Sequence, residues 1–222
     1  MQDFLLWIGK NGAYFLLFSL SITLFRFRYL TDSLRFVGLF VGLAIVGEVI
    51  SYVTGRVLHR PNLHILHVYT ILEFNVIALF YFTFFGYFYS RSLVPVLMIG
   101  FTLLSALNSA FLQPLNRYNT YARGLEAILI IGLTVLCFYK MLTELSTKRL
   151  DKHPVFWINT GFLLYFAGSL FFLILSNALL DKSDRTLILT IFGLHALLMV
   201  MMHLLIGVGL WFSPRLRSIS MS

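Results

Sequence analysis

Seven long apolar runs, parted by short polar connections, dominate this 222-residue chain and restrict its fold more than any other feature. About twenty consecutive apolar residues are what an α-helix needs to cross a bilayer, and inside hydrocarbon a helix lets a single segment pair its own backbone N–H and C=O groups. The expected fold is therefore all-α: a polytopic membrane protein forming one seven-transmembrane-helix bundle over residues 1–222. The runs predict spans at 12–30, 34–54, 64–88, 93–113, 118–142, 155–180 and 186–212. Lys10 limits the first span on one side, and Arg26 and Arg28 at its other end are expected to snorkel outward or to end it early. Thr31, Asp32 and Ser33 read as a cap for the second helix, and Arg60, Pro61 and Asn62 open the third. Gln113, Pro114, Leu115 and Asn116 divide the fourth helix from the fifth, and Pro154 stands near the start of the sixth.

Composition excludes whole classes of function. Hydrophobic residues make up 59% of the chain and charged ones 12%, against about 45–50% and 25% in soluble domains. With the length nearly used up by spans, no soluble kinase or catalytic domain is expected, so any chemistry belongs in or beside the bilayer. A net charge of +8 would suggest nucleic acid in a soluble protein. Here Lys and Arg cluster between spans, where they meet lipid headgroups and set orientation, so no nucleic-acid partner is expected. The lone cysteine, Cys137, rules out an intramolecular disulfide and every cysteine-based zinc motif. Residues 1–4 lack a basic leader segment, so the first run is expected to stay as a span.

The Lys and Arg residues also predict which way the bundle faces. Arg26, Arg28, Arg35, Arg91, Lys140, Lys148, Arg149, Lys152, Arg215 and Arg217 fall on one side, and Lys10, Arg56, Arg60, Arg117, Lys182 and Arg185 on the other. The richer side is the cytoplasmic one, which puts the N-terminus outside and the C-terminus in the cytoplasm. Gly38 with Gly42, and Ser105 with Ser109, are spaced to let helices approach closely.

Glu48, Glu73 and Glu126 lie within the apolar runs. A charged carboxylate at the centre of a membrane helix costs about 2.5–3.5 kcal/mol or more unless it faces the bundle interior and finds a partner. Glu48 shares a helix face with Ser51, Tyr52 and Gly55, while the third helix carries His64, His67, Thr70 and Glu73 at steps of three. Asn108 sits on the fourth helix and Asn119, Arg123 and Glu126 on the fifth; Ser176 and Asn177 end the sixth, and His195 lies on the seventh. The predicted orientation puts all of these in the outer half of the membrane. They suggest a polar pocket whose ligand-binding residues are Glu48, His67, Glu73, Asn108, Arg123, Glu126 and His195. The competing arrangement is a self-satisfied lock, with Arg123 paired to Glu126 and Glu48 to a histidine or tyrosine.

His67 and His195, with one of the three glutamates, would supply nitrogen and oxygen ligands suited to a divalent metal such as zinc. No H-E-x-x-H or cysteine motif supports it. The series His195, Met199, Met202 and His203 is better explained as packing than as a copper site. Span 186–212 has no lysine for a retinal Schiff base.

The stretches His67-Val-Tyr-Thr-Ile-Leu-Glu73-Phe and Phe156-Trp-Ile-Asn-Thr-Gly161-Phe-Leu-Leu-Tyr165-Phe resemble the seven-helix membrane region ahead of some bacterial sensor histidine kinases. That resemblance implies a stimulus-sensing module, here working with a separate cytoplasmic signalling partner. Glu48 with Ser51, and His195 in the last helix, are similar in kind to the alkaline ceramidase-like hydrolases, which implies zinc-dependent hydrolysis of a lipid. The pattern departs from that family because His195 and His203 are eight apart and form no H-x-x-x-H pair. The functional expectation is thus a receptor-like or sensory module in a bacterial inner membrane, binding a small ligand in the outer-half pocket. A metal-dependent intramembrane lipid hydrolase and a structural scaffold subunit are the alternatives.

Overall fold

The computed structural model describes residues 2–144, 149–179 and 185–213, with the side chains of 174–188 left aside. All regular structure among them is helical. Helix α1 (Gln2–Asn11) runs through a 3-10 turn (Gly12–Phe15) into α2 (Leu16–Arg26). Then come α3 (Asp32–Tyr52), α4 (Leu63–Phe85), α5 (Leu93–Leu107), α6 (Thr120–Glu144), α7 (Pro154–Leu179) and α8 (Arg185–Trp211). Seven helical stretches are long and apolar enough to cross a membrane, as befits an integral membrane protein.

The first stretch differs from the sequence expectation, because it begins at Gln2 and reaches Tyr29. Lys10 does not limit it. The Lys10 side chain is exposed, so the helix passes through this position without burying the charge. Nor does Arg26 snorkel: it is 5% exposed and donates to the carbonyls of Trp211 and Ser213 at the end of α8. Lys140 does the same for α4, donating to the carbonyls of Phe84 and Phe85 at 2.8 Å each. The last carbonyls of a helix have no partner within it, and a cation there satisfies them and complements the helix dipole. Gly86, at φ +56, turns the chain out of α4 in a conformation that favours glycine. Basic residues at this end therefore cap helices as well as marking a side. The expected side-chain cap at Thr31 is absent; Thr31 is extended, and Asp32 pairs with Arg35 at 3.3 Å.

Lipid is as apolar as leucine, so packing and hydrogen bonding hold membrane helices together more than transfer from water does. Phe40, Phe74, Phe80, Tyr81, Phe101, Phe162 and Phe166 fill the centre, each 1% exposed or less. Tyr81 donates to Asn159 Oδ1 at 2.8 Å, and Asn159 Nδ2 donates to the Thr134 carbonyl at 3.0 Å, tying α4, α6 and α7 together. Of the predicted pairs, Gly38 serves close approach, since a β-carbon there would lie 3.0 Å from Thr23 Cγ2 on α2, and further glycines do the same elsewhere. At Gly161 a β-carbon would lie 3.2 Å from the Met202 carbonyl oxygen, and at Gly193 one would lie 2.6 Å from that of Leu5, so α7 and α1 press directly on α8. Gly42 has open space around it.

Two spans end in π-helical turns, Val53–Val57 and Asn108–Leu112. Such turns reposition the side chains at a helix end and often accompany functional sites. Both lie at the end of the bundle opposite the Arg26 and Lys140 caps, where the polar groups gather.

Candidate functional site

Arg123, on the second turn of α6, is the hub of the polar region. Its Nη1 donates to Glu73 Oε2 on α4 and, at 2.9 Å, to Glu126 Oε2 one turn along α6; its Nη2 donates to the Tyr165 hydroxyl on α7 at 3.3 Å. The spacing of three on α6 places Arg123 and Glu126 on one face, and the steps of three on α4 carry Glu73 round to meet them. Tyr69 donates to Glu73 Oε1 at 3.3 Å. The Glu73 and Glu126 side chains are 3% and 1% exposed, while Arg123 keeps 23%. Glu126 Oε1 is buried and has no hydrogen-bond partner among the described residues.

Beside the hub lies a cavity of about 450 Å³ between α4, α6, α7 and α8. Its polar wall is Asn119, Thr120, Arg123, Glu126, Ser169 and His195; its apolar wall includes Leu66, Phe166, Phe172, Leu173 and Phe192. His195 Nε2 stands 3.2 Å from Ser169 Oγ, and its ring packs edge-on against Tyr165 at 5.5 Å. A mostly apolar cavity with a few converging polar groups is the usual form of a small-molecule site.

Six of the seven expected residues thus contribute to the hub, to the cavity wall or to bracing them, and two of the six, His67 and Asn108, do so differently than expected. His67 is buried and committed: its Nε2 donates to the Arg117 carbonyl at 3.0 Å, and its Nδ1 is 2.8 Å from Ser109 Oγ. The π turn at Asn108–Leu112 delivers Ser109 to that contact. With both ring nitrogens engaged, His67 braces the α4, α5 and α6 ends and leaves no lone pair for a metal. Asn108 is buried, donates to Gln113 Oε1 at 3.1 Å, and belongs to the same bracing layer. Gln113 passes the chain of bonds on to Thr120 at 2.8 Å.

Glu48 is the clear departure. It is exposed and makes no hydrogen bond or ion pair among the described residues, facing a separate groove shared with Lys10, Ser51, Tyr52, Arg56 and Asn62. The reason is helical phase. The preceding residue, Gly47, faces α4 so closely that a β-carbon would lie 2.8 Å from the Tyr69 ring, and a step of about 100° then turns Glu48 off the interface. His64 is exposed as well. Ser176 and Asn177 lie outside the residues whose side chains are described.

Ser169, Tyr69 and Thr70 were missed or undervalued as site residues. Thr70 accepts from Asn119 Nδ2 at 2.8 Å, which pins the start of α6 to α4. The i,i+4 spacing of Tyr69 and Glu73 was available as a signal; nothing in the sequence distinguishes Ser169 from other span serines. Among the described residues, no three His, Cys, Asp or Glu side chains gather as a metal site would require. No protein family, curated protein or solved structure matches the chain.

Proposed function

We propose that this protein is a receptor-like or sensory membrane module that binds a small ligand in the cavity beside Arg123. The observation that carries the reading is the cavity itself: about 450 Å³ of space against a partly buried arginine that already holds two buried carboxyl groups. A network built only to lock helices has no need of adjacent space of that size. The excess of Lys and Arg around the Arg26 and Lys140 end supports a cytoplasmic placement of that end, with the cavity towards the outside of a bacterial inner membrane. A ligand there would bear on α6, α7 and α8 together, and at the far end the exposed Arg149 and Lys152 ahead of α7 would meet a cytoplasmic signalling partner.

A second reading, the scaffold, is favoured by a specific observation. His67, Asn108, Gln113 and Asn119 are bonded to one another's neighbours and work as braces. The two readings separate in one experiment: a thermal-shift screen of chemically diverse small molecules against the full chain in lipid nanodiscs, run in parallel on Ser169→Phe, which fills the cavity. A ligand module gives compounds that stabilise the wild type and not the filled variant. A scaffold gives none, and Ser169→Phe is then the only perturbation. The hydrolase alternative retains one pair, Ser169 with His195. No carboxylate lies within ion-pair distance to orient that histidine among the described residues, and purified protein that carries no stoichiometric zinc removes the metal-dependent hydrolase.

A further inference from the structure

The hub holds two carboxyl groups and one guanidinium. With both carboxyls ionised, Glu73 and Glu126 bring two negative charges against one positive on Arg123, and the described groups around them supply no second cation, so a proton or a bound cation must make up the difference: Tyr69, Tyr165 and Ser169 are neutral, and His195 lies against Ser169 with no carboxylate within ion-pair distance. Arg123 Nη1 is shared between the two carboxylates. Glu126 Oε2 is satisfied, but Glu126 Oε1 is buried and has no donor among the described residues, and Glu126 is one of the residues that line the cavity. A buried acceptor left in that state is costly, more so when it carries charge. Resting on the ligand-site reading above, we propose that the cavity takes a lipophilic amine, a monocation whose ammonium donates to Glu126 and whose apolar body lies among Leu66, Phe166, Phe172, Leu173 and Phe192.

Each part of that description follows from a wall of the cavity. An ammonium balances the hub with both carboxyls ionised, and a free amine that meets a protonated Glu126 takes up its proton to form the same pair; either way it brings the N–H that Oε1 lacks among the described residues. An anion would add a third negative charge around a guanidinium that already serves two carboxylates, in surroundings where charge is weakly screened. A neutral alcohol would offer a hydrogen bond without relieving the charge. Phe166, Phe172 and Phe192 line the cavity, and an aromatic ring's face attracts a desolvated cation. A strongly hydrated inorganic cation would gain nothing from that wall, whereas an amine with an aryl or alkyl body uses both.

The test holds the body constant and changes the head. Phenethylamine, phenethyl alcohol and phenylacetate are titrated onto the full chain in phosphatidylcholine nanodiscs, with saturable stabilisation against heat as the readout. Wild type, Glu126→Gln and Ser169→Phe are compared, so partition into lipid cancels. The expected result is that the amine binds the wild type at least about tenfold more tightly than the alcohol, a difference of about 1.4 kcal/mol, with the acid weakest. Glu126→Gln should bring amine and alcohol level, and Ser169→Phe should abolish saturation by all three. Alcohol or acid binding as tightly as the amine, or an amine preference that survives Glu126→Gln, overturns the assignment of a cation while leaving the pocket standing. Absence of saturable binding by every probe overturns the pocket and the amine together. The ranking on the wild type is decisive by itself should Glu126→Gln fail to fold.

Discussion

Glu48 and Glu73 look alike in the sequence: each is a carboxylate deep in an apolar run, with aromatic and hydroxyl residues at helical spacing. Their surroundings are opposite. Glu73 is closed between α4 and α6, bonded to Arg123 and Tyr69, whereas Glu48 faces an open groove with no bonded partner among the described residues. One position on α3 decides it. Gly47 takes the contact with the Tyr69 ring, and Glu48 is turned away. A carboxylate in a membrane helix marks an interior site only where the helix phase points it at a donor, and a rule based on depth alone counts both.

The contrast predicts a ladder of effects on thermal stability in nanodiscs. The largest belongs to Arg123→Ala, which strands two buried carboxylates at once and should cost about 3–5 kcal/mol or more. A loss below about 1 kcal/mol, the value of a surface ion pair, would show that the hub is far wetter than its burial implies.

Next comes Gly47→Ala. The added methyl must displace the Tyr69 ring, and overpacking of this kind costs about 1–3 kcal/mol. Because Tyr69 donates to Glu73, Tyr69→Phe should lose part of the same energy, and the two substitutions together should cost less than their sum. Full additivity would separate Gly47 from the hub.

A smaller effect is expected at the opposite end, where His153 is partly buried, its Nδ1 has no partner among the described residues, and burial holds its affinity for protons below the ordinary histidine range. A histidine whose folded-state pKa is depressed binds protons more readily when unfolded. Its contribution is therefore intact above about pH 6.5 and falls away as the pH drops below that value. Stability measured from pH 8 to pH 5 should decline across this window, and His153→Asn should flatten the decline. An unchanged slope in the variant would assign the pH dependence to other groups.

The smallest effect belongs to Glu48→Gln, within about 0.5 kcal/mol of wild type, as for exposed positions without special contacts. A large change would mean that the Glu48 groove is covered in the membrane by something that pairs with it.

Much of the fold was legible because its cause is local. Twenty apolar residues in a row dictate a spanning helix wherever they occur, and Pro61, Pro114 and Pro154 mark three of the helix starts within a few residues. Arg123 with Glu126 was also legible, since a spacing of three fixes their common face. What escaped was set by contacts between helices. That Glu73 meets Arg123 while Glu48 faces a separate groove depends on the rotation of α3 against α4. The engagement of His67 depends on a π turn that swings Ser109 into reach, and Ser169 acquires meaning only because α8 brings His195 to it. Arg26 read as a charge fleeing the bilayer because the end of α8 that it caps lies 185 residues away in the chain.

The claim that most needs testing is that Arg123, Glu73 and Glu126 form one buried unit. The direct measurement is a thermodynamic cycle in nanodiscs comprising wild type, Arg123→Ala, the double variant Glu73→Gln with Glu126→Gln, and all three substitutions combined. Removing both negative charges relieves what Arg123→Ala strands, so the triple variant should be more stable than Arg123→Ala alone, by about 1–3 kcal/mol, the usual size of such coupling. If the triple variant is less stable than Arg123→Ala by the full cost of the double variant, the three charges act independently and the hub described here is not a unit.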